Sequence, residues 1–117
     1  MIKGIGLDLV ELERIEKMMK RSEKFQQRVL TQRELSIFDT LSESRKVEFL
    51  AGRFAAKEAY SKANGTGIGE GCELHQIEIL KAANGKPVLY FDGVVVNGFI
   101  SITHTRTTAA AQVILIS

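Results

Sequence analysis

The chain has no tryptophan, one proline (Pro87) and one cysteine (Cys72). A lone cysteine excludes an intrachain disulfide and any cysteine-built metal cage. One proline and ten glycines in 117 residues exclude collagen-like and proline-rich architectures. No stretch approaches the roughly 20 apolar residues that cross a bilayer as a helix, so no membrane partner is expected. Acidic residues arrive at Asp8 and Glu11, too early for the apolar core of a signal peptide, and a cytoplasmic protein is expected. An overall excess of one charge is missing too: 16 Lys and Arg stand against 14 Asp and Glu, a formal net charge of +2.

Hydrophobic residues make up 44% and charged residues 26%, the balance of an ordinary globular protein. The length predicts a single domain over 1–117. So short a chain buries only about two-thirds of its unfolded surface, and assembly into an oligomer would reinforce such a core. Charge is unevenly spread along the chain. Between Arg14 and Arg33, Arg14, Lys17, Lys20, Arg21, Lys24, Arg28 and Arg33 outnumber Glu16 and Glu23, which implies an anionic partner or substrate.

Ile5, Leu7 and Leu9 alternate with Gly4, Gly6 and Asp8, predicting a strand over about 2–9. Leu12, Ile15 and Met19 then follow helical spacing from near Glu11. Thr31-Gln-Arg-Glu34 has the capping-box pattern, opening a short helix with Leu35, Phe38 and Leu41 inward. Ser44 is the expected N-cap of the longest helix, which runs to Asn64-Gly65. Strands follow around His75–Ile79, at Pro87–Phe91 after an Asn84-Gly85 turn, at 99–104 and at 109–116. One N-terminal strand, three helices and a C-terminal set of antiparallel strands make an α+β fold.

Asp8 is a carboxylate in an otherwise apolar strand, on the face it shares with Gly4 and Gly6. Glycines there mark close approach by a backbone or a ligand. Asp8 itself reads equally as a cap of the next helix. In the long helix, Phe54, Glu58 and Lys62 lie four residues apart on one face, with Arg53 and Lys57 on the adjacent row. These charges fit an exposed Glu58–Lys62 pair, or a Glu58 that joins Asp8 around a divalent cation. Mg²⁺ typically takes only one or two carboxylates, leaving room for phosphate oxygens. The glycine-rich run 65–71 follows a helix instead of opening one, so helix termination and a loop explain it better than a phosphate cradle. A helix continued to Arg28 would align Arg14, Met18, Arg21, Phe25 and Arg28 in one stripe. Arginines interleaved with large apolar groups suit an acidic amphipathic protein, with nucleic acid as the rival partner.

GIGLDLVELERI at 4–15, FLAGRFAAKEAYSKANGTGIG at 49–69 and SITHT at 101–105 closely resemble the holo-[acyl-carrier-protein] synthases, small phosphopantetheinyl transferases. The resemblance implies transfer of 4′-phosphopantetheine from coenzyme A to a serine of apo acyl carrier protein, serving fatty acid synthesis. Adenosine 3′,5′-bisphosphate is the other product. It implies Mg²⁺ as cofactor, a homotrimer with sites at subunit interfaces, and no role for nucleic acid. By the matching motifs, Asp8 and Glu58 are the metal ligands, and Lys62 joins them as a catalytic residue. The same resemblance makes Arg53, Lys62, Asn84, Gly85, Lys86, Pro87, His104 and Thr105 the coenzyme A contacts. Arg14, Met18, Arg21, Phe25 and Arg28 become the carrier-docking positions. Some relatives carry an extra helix before the penultimate strand, for which DGVVVNG at 92–98 is too short.

Overall fold

The computed structural model describes all 117 residues, Met1–Ser117. Strand β1 (Ile2–Glu11) leads into helices α1 (Leu12–Arg21), α2 (Lys24–Val29), α3 (Gln32–Phe38) and α4 (Glu43–Asn64). A 3₁₀ turn at Leu74–Gln76 precedes β2 (Ile77–Lys81), β3 (Pro87–Phe91), β4 (Val94–Val95), β5 (Gly98–His104) and β6 (Thr108–Ile116). The strands form two antiparallel sheets, ordered β1-β6-β5 and β2-β3-β4. The α+β order is as expected, with several corrections of detail.

There are four α-helices, not three, because the basic segment breaks at Ser22. Ser22 turns extended (φ −168°, ψ 140°), and its hydroxyl accepts from the Lys24 amide at 3.1 Å. That local bond replaces the next helical one. The break swings Phe25 inward, where it is buried and meets Phe54 at a ring-centroid distance of 6.0 Å. The capping box at Thr31 and Glu34 forms as expected. Helix α4 starts earlier than its expected cap: Ser42, not Ser44, holds the extended N-cap position, and its carbonyl accepts from the Lys46 amide at 2.8 Å. Gly65 ends the helix in the left-handed region (φ 84°), as helix termination requires. His75 belongs to the 3₁₀ turn instead of a strand, and 92–98 holds a turn and the short strand β4.

Helix α4 lies against the inner face of the first sheet, where Val10, Ala109, Ala111, Val113 and Leu115 meet Ala51, Ala55 and Ala59. The approach is closest at β1. A Cβ on Gly4 would overlap the carbonyl oxygen of Ala63, and one on Gly6 that of Ala59. The helix backbone therefore rests directly on the strand, which is one of the two readings the strand glycines allow. Asp8, next on that face, is brought level with the side of α4. The outer face of the sheet is bare: Ile5, Leu7, Leu9 and Phe99 are all more than half exposed.

Candidate active site

Asp8 and Lys62 meet because β1 and α4 touch backbone to backbone. The Lys62 ammonium donates to Asp8 Oδ1 at 3.0 Å and to the Leu7 carbonyl at 3.1 Å. Lys62 thus pairs with Asp8, 54 residues away, and not with its helical neighbour Glu58. Glu58 sits one turn before Lys62, on the same side of the helix, half-buried. Its partial burial holds the carboxyl above the usual range; Asp8 pushes the same way, and Lys62 and Arg14 pull against both. Asp8, Glu58, Lys62 and Arg14 therefore share one local field.

No cluster of three or more His, Cys, Asp or Glu side chains gathers to enclose a metal ion. Asp8 and Glu58 form an open pair of carboxylates. Such a pair fits Mg²⁺, which keeps most of its octahedron for water and phosphate oxygens. The ammonium already seated on Asp8 shows that the position attracts a cation.

Beside this pair, an open groove of about 1250 Å³ is lined by Leu9, Val10, Met18 and Thr108, with Arg14, Lys17, Lys20 and Arg21 outnumbering Glu11 and Glu13. The structure thus brings three of the five expected docking residues to one groove. Phe25 leaves the stripe for the core, since the break at Ser22 rotates it away from Arg21. Arg28 is exposed on α2 and borders a separate cavity of about 340 Å³ with Ile68, Glu73, Leu74 and His75.

Six of the eight expected coenzyme A contacts fall in two turns, 84–87 and 104–105. Asn84–Pro87 forms the β2–β3 turn, where Asn84 Oδ1 accepts from the Lys86 amide at 3.0 Å. The Lys86 ammonium lies 5.8 Å from the centre of the Phe99 ring. His104 ends β5 with Nε2 3.4 Å from Glu48 Oε2. Thr105 Oγ1 accepts from the amides of Thr107 and Thr108 and shapes the β5–β6 turn. None of these groups bonds to Asp8, Glu58 or Lys62.

Arg53 departs furthest from its expected place. It is only 6% exposed, its Nη2 donates to the Ile79 carbonyl at 3.1 Å, and its guanidinium lies over the Phe49 ring at 4.1 Å. Its Nε is 3.9 Å from Glu34 Oε2. Glu34 and Lys57, both fully buried, pair at 2.7 Å, and the Lys57 ammonium also donates to the carbonyls of Val29 and Leu74. Burial drags the Lys57 ammonium below the ordinary lysine range, against the pull of Glu34. Packing commits Arg53 to this ion cluster, so a phosphate reaches it only if the cluster opens. The cluster escaped the sequence reading because Glu34 already had a local role as capping residue, and nothing local ties it to Lys57.

The family model for the 4′-phosphopantetheinyl transferase superfamily matches residues 4–113. The chain belongs to this superfamily. Among similar superfamily members, the holo-[acyl-carrier-protein] synthase of Geobacillus sp. (strain WCH70) is 56% identical, covering 98% of this chain and 97% of its own. That of Listeria monocytogenes serotype 4a (strain HCC23) is 51% identical over 98% of both. The crystal structure of the Bacillus anthracis str. Ames synthase, in complex with CoA (3′,5′-ADP), superimposes with a TM-score of 0.87 at 48% identity, covering 98% of this chain and 96% of that one. The Neisseria meningitidis synthase superimposes with a TM-score of 0.90 at 35% identity over the full length of both chains. No helix of this superfamily member is long and apolar enough to cross a membrane.

Proposed function

We propose that this chain transfers 4′-phosphopantetheine from coenzyme A to a serine of apo acyl carrier protein, releasing adenosine 3′,5′-bisphosphate and activating the carrier for fatty acid synthesis. The observation that carries the reading is the meeting of Asp8, Glu58 and Lys62 beside a basic groove in a member of this superfamily. Residues 1–117 act as one phosphopantetheinyl transferase domain, which the family match over 4–113 supports. The reaction belongs to the cytoplasm.

Asp8 and Glu58 would hold Mg²⁺. When bound, the ion supplies Lewis-acid withdrawal of charge from the diphosphate under attack. Glu58, beside the position the ion would take, is placed to accept the proton from the carrier serine as its oxygen attacks the phosphorus nearest the pantetheine arm. The bond from that phosphorus to the nucleotide phosphate breaks, and Lys62 meets the charge left on the departing oxygen. Arg14, Met18 and Arg21 present the acidic carrier from the groove, and Arg28 extends the basic surface beyond it. Much of the rate then comes from positioning and electrostatics.

Asn84, Gly85, Lys86, Pro87, His104 and Thr105 contact coenzyme A across a subunit interface in a homotrimer. Two features support this: none of these groups bonds to Asp8, Glu58 or Lys62 within one chain, and the outer sheet face carries Ile5, Leu7, Leu9 and Phe99 bare.

The test is the intact mass of apo acyl carrier protein after incubation with this protein, coenzyme A and Mg²⁺. The expected result is a gain of one phosphopantetheine, absent with EDTA. No gain with any carrier protein would overturn the proposal. Asp8→Ala and Glu58→Ala are each expected to abolish the gain while leaving the circular dichroism spectrum native. Unaltered turnover in either variant would remove the metal site from Asp8 and Glu58.

A further inference from the structure

The Lys62 ammonium takes two acceptors from β1 at once, Asp8 Oδ1 at 3.0 Å and the Leu7 carbonyl at 3.1 Å. This fixes it on the α4 side of Asp8, the side from which Glu58 also approaches. Glu58 makes no side-chain hydrogen bond or ion pair of its own, although its field includes Asp8, Lys62 and Arg14. The lysine side chain is 53% exposed while that of Asp8 is only 17% exposed, so the ammonium has open solvent to swing into.

We infer that Lys62 is the resident counter-ion of the unloaded metal site, and that metal loading and release of Lys62 are one coupled event. The inference rests on the metal role proposed above for Asp8 and Glu58. A cation shared by those carboxylates would bind the Asp8 carboxylate that the ammonium already holds at 3.0 Å, and the two positive charges would repel. The lysine neutralises the partly buried Asp8 carboxylate until a divalent ion takes over that task. Only then is its charge free for a phosphate oxygen. A lysine displaced from Asp8 by the metal has its full charge for the leaving group, which orders the site: metal first, Lys62 on the substrate second.

The test is a titration with Mn²⁺, following the free ion by electron paramagnetic resonance, without coenzyme A or carrier protein. Lys62→Met is expected to bind Mn²⁺ at least fivefold more tightly than the wild type. Lys62→Arg, which keeps the charge, should stay near the wild-type value, and Asp8→Asn should lose binding. Equal or weaker binding by Lys62→Met would overturn the inference and leave the metal reading standing. So would Lys62→Arg binding as tightly as Lys62→Met, since charge would then not be the cause. Absence of Mn²⁺ binding in both the wild type and Lys62→Met would overturn the inference together with the metal role of Asp8 and Glu58.

Discussion

Gly6 shows how little space separates strand from helix. A methyl group there would overlap the Ala59 carbonyl, which belongs to rigid helix backbone and cannot yield as a flexible side chain would. Gly6→Ala is expected to destabilise the fold by about 1–3 kcal/mol, the range for overpacked cores. It should also loosen the Asp8–Lys62 contact; thermal melting checks the first effect. At Glu58 the raised carboxyl pKa sets a pH dependence of stability. The folded chain binds that proton more tightly than the unfolded chain, so ionisation disfavours folding once pH rises past the ordinary value of 4.5. In EDTA, Glu58→Gln should melt above the wild type at neutral pH. The gain should vanish as pH falls below that value, whereas parallel melting curves at every pH would contradict it.

At the scale of elements, the Lys57–Glu34 pair fastens the end of α2, the start of α3, the segment before β2 and the middle of α4 to one another. Glu34 also accepts from the Ile79 amide at 2.9 Å, which ties the second sheet to the same point. Removing one partner of such a pair leaves a buried charge uncompensated. Lys57→Met should cost about 3–5 kcal/mol of stability in a urea titration. Adding Glu34→Gln should cost less than the sum of the single changes, because the stranded charge is gone. Helix α4 thus has two working sides: Lys57 and Arg53 hold the scaffold, and Glu58 and Lys62 face the site.

At the scale of the whole molecule, the first sheet is covered by α4 on one face only. Leu7, 57% exposed, sits amid Ile5, Leu9 and Phe99 on the other. The homotrimer proposed above would bury this patch, and Leu7→Glu would place a charge in its middle. Sedimentation equilibrium should then report a monomer, and transfer activity should fall with the loss of the shared sites. A variant that stays trimeric would place the interface elsewhere.

By itself, the sequence determined the α+β class, the strand glycines that admit a close neighbour, the capping box at Thr31 and the end of α4 at Gly65. These are local matters of periodicity, steric size and backbone hydrogen bonding. The motif that carries Asp8, Glu58 and Lys62 was equally legible, because each lies in a distinctive block. Only the tertiary structure decided which charges pair. Lys62 passed over Glu58 for Asp8, Glu34 reached Lys57, and Arg53 went inward with them. The break at Ser22 likewise sent Phe25 to the core and left Arg14, Met18 and Arg21 on the groove. Spacing along a helix shows which side chains can meet, but desolvation and packing between distant segments select the partner.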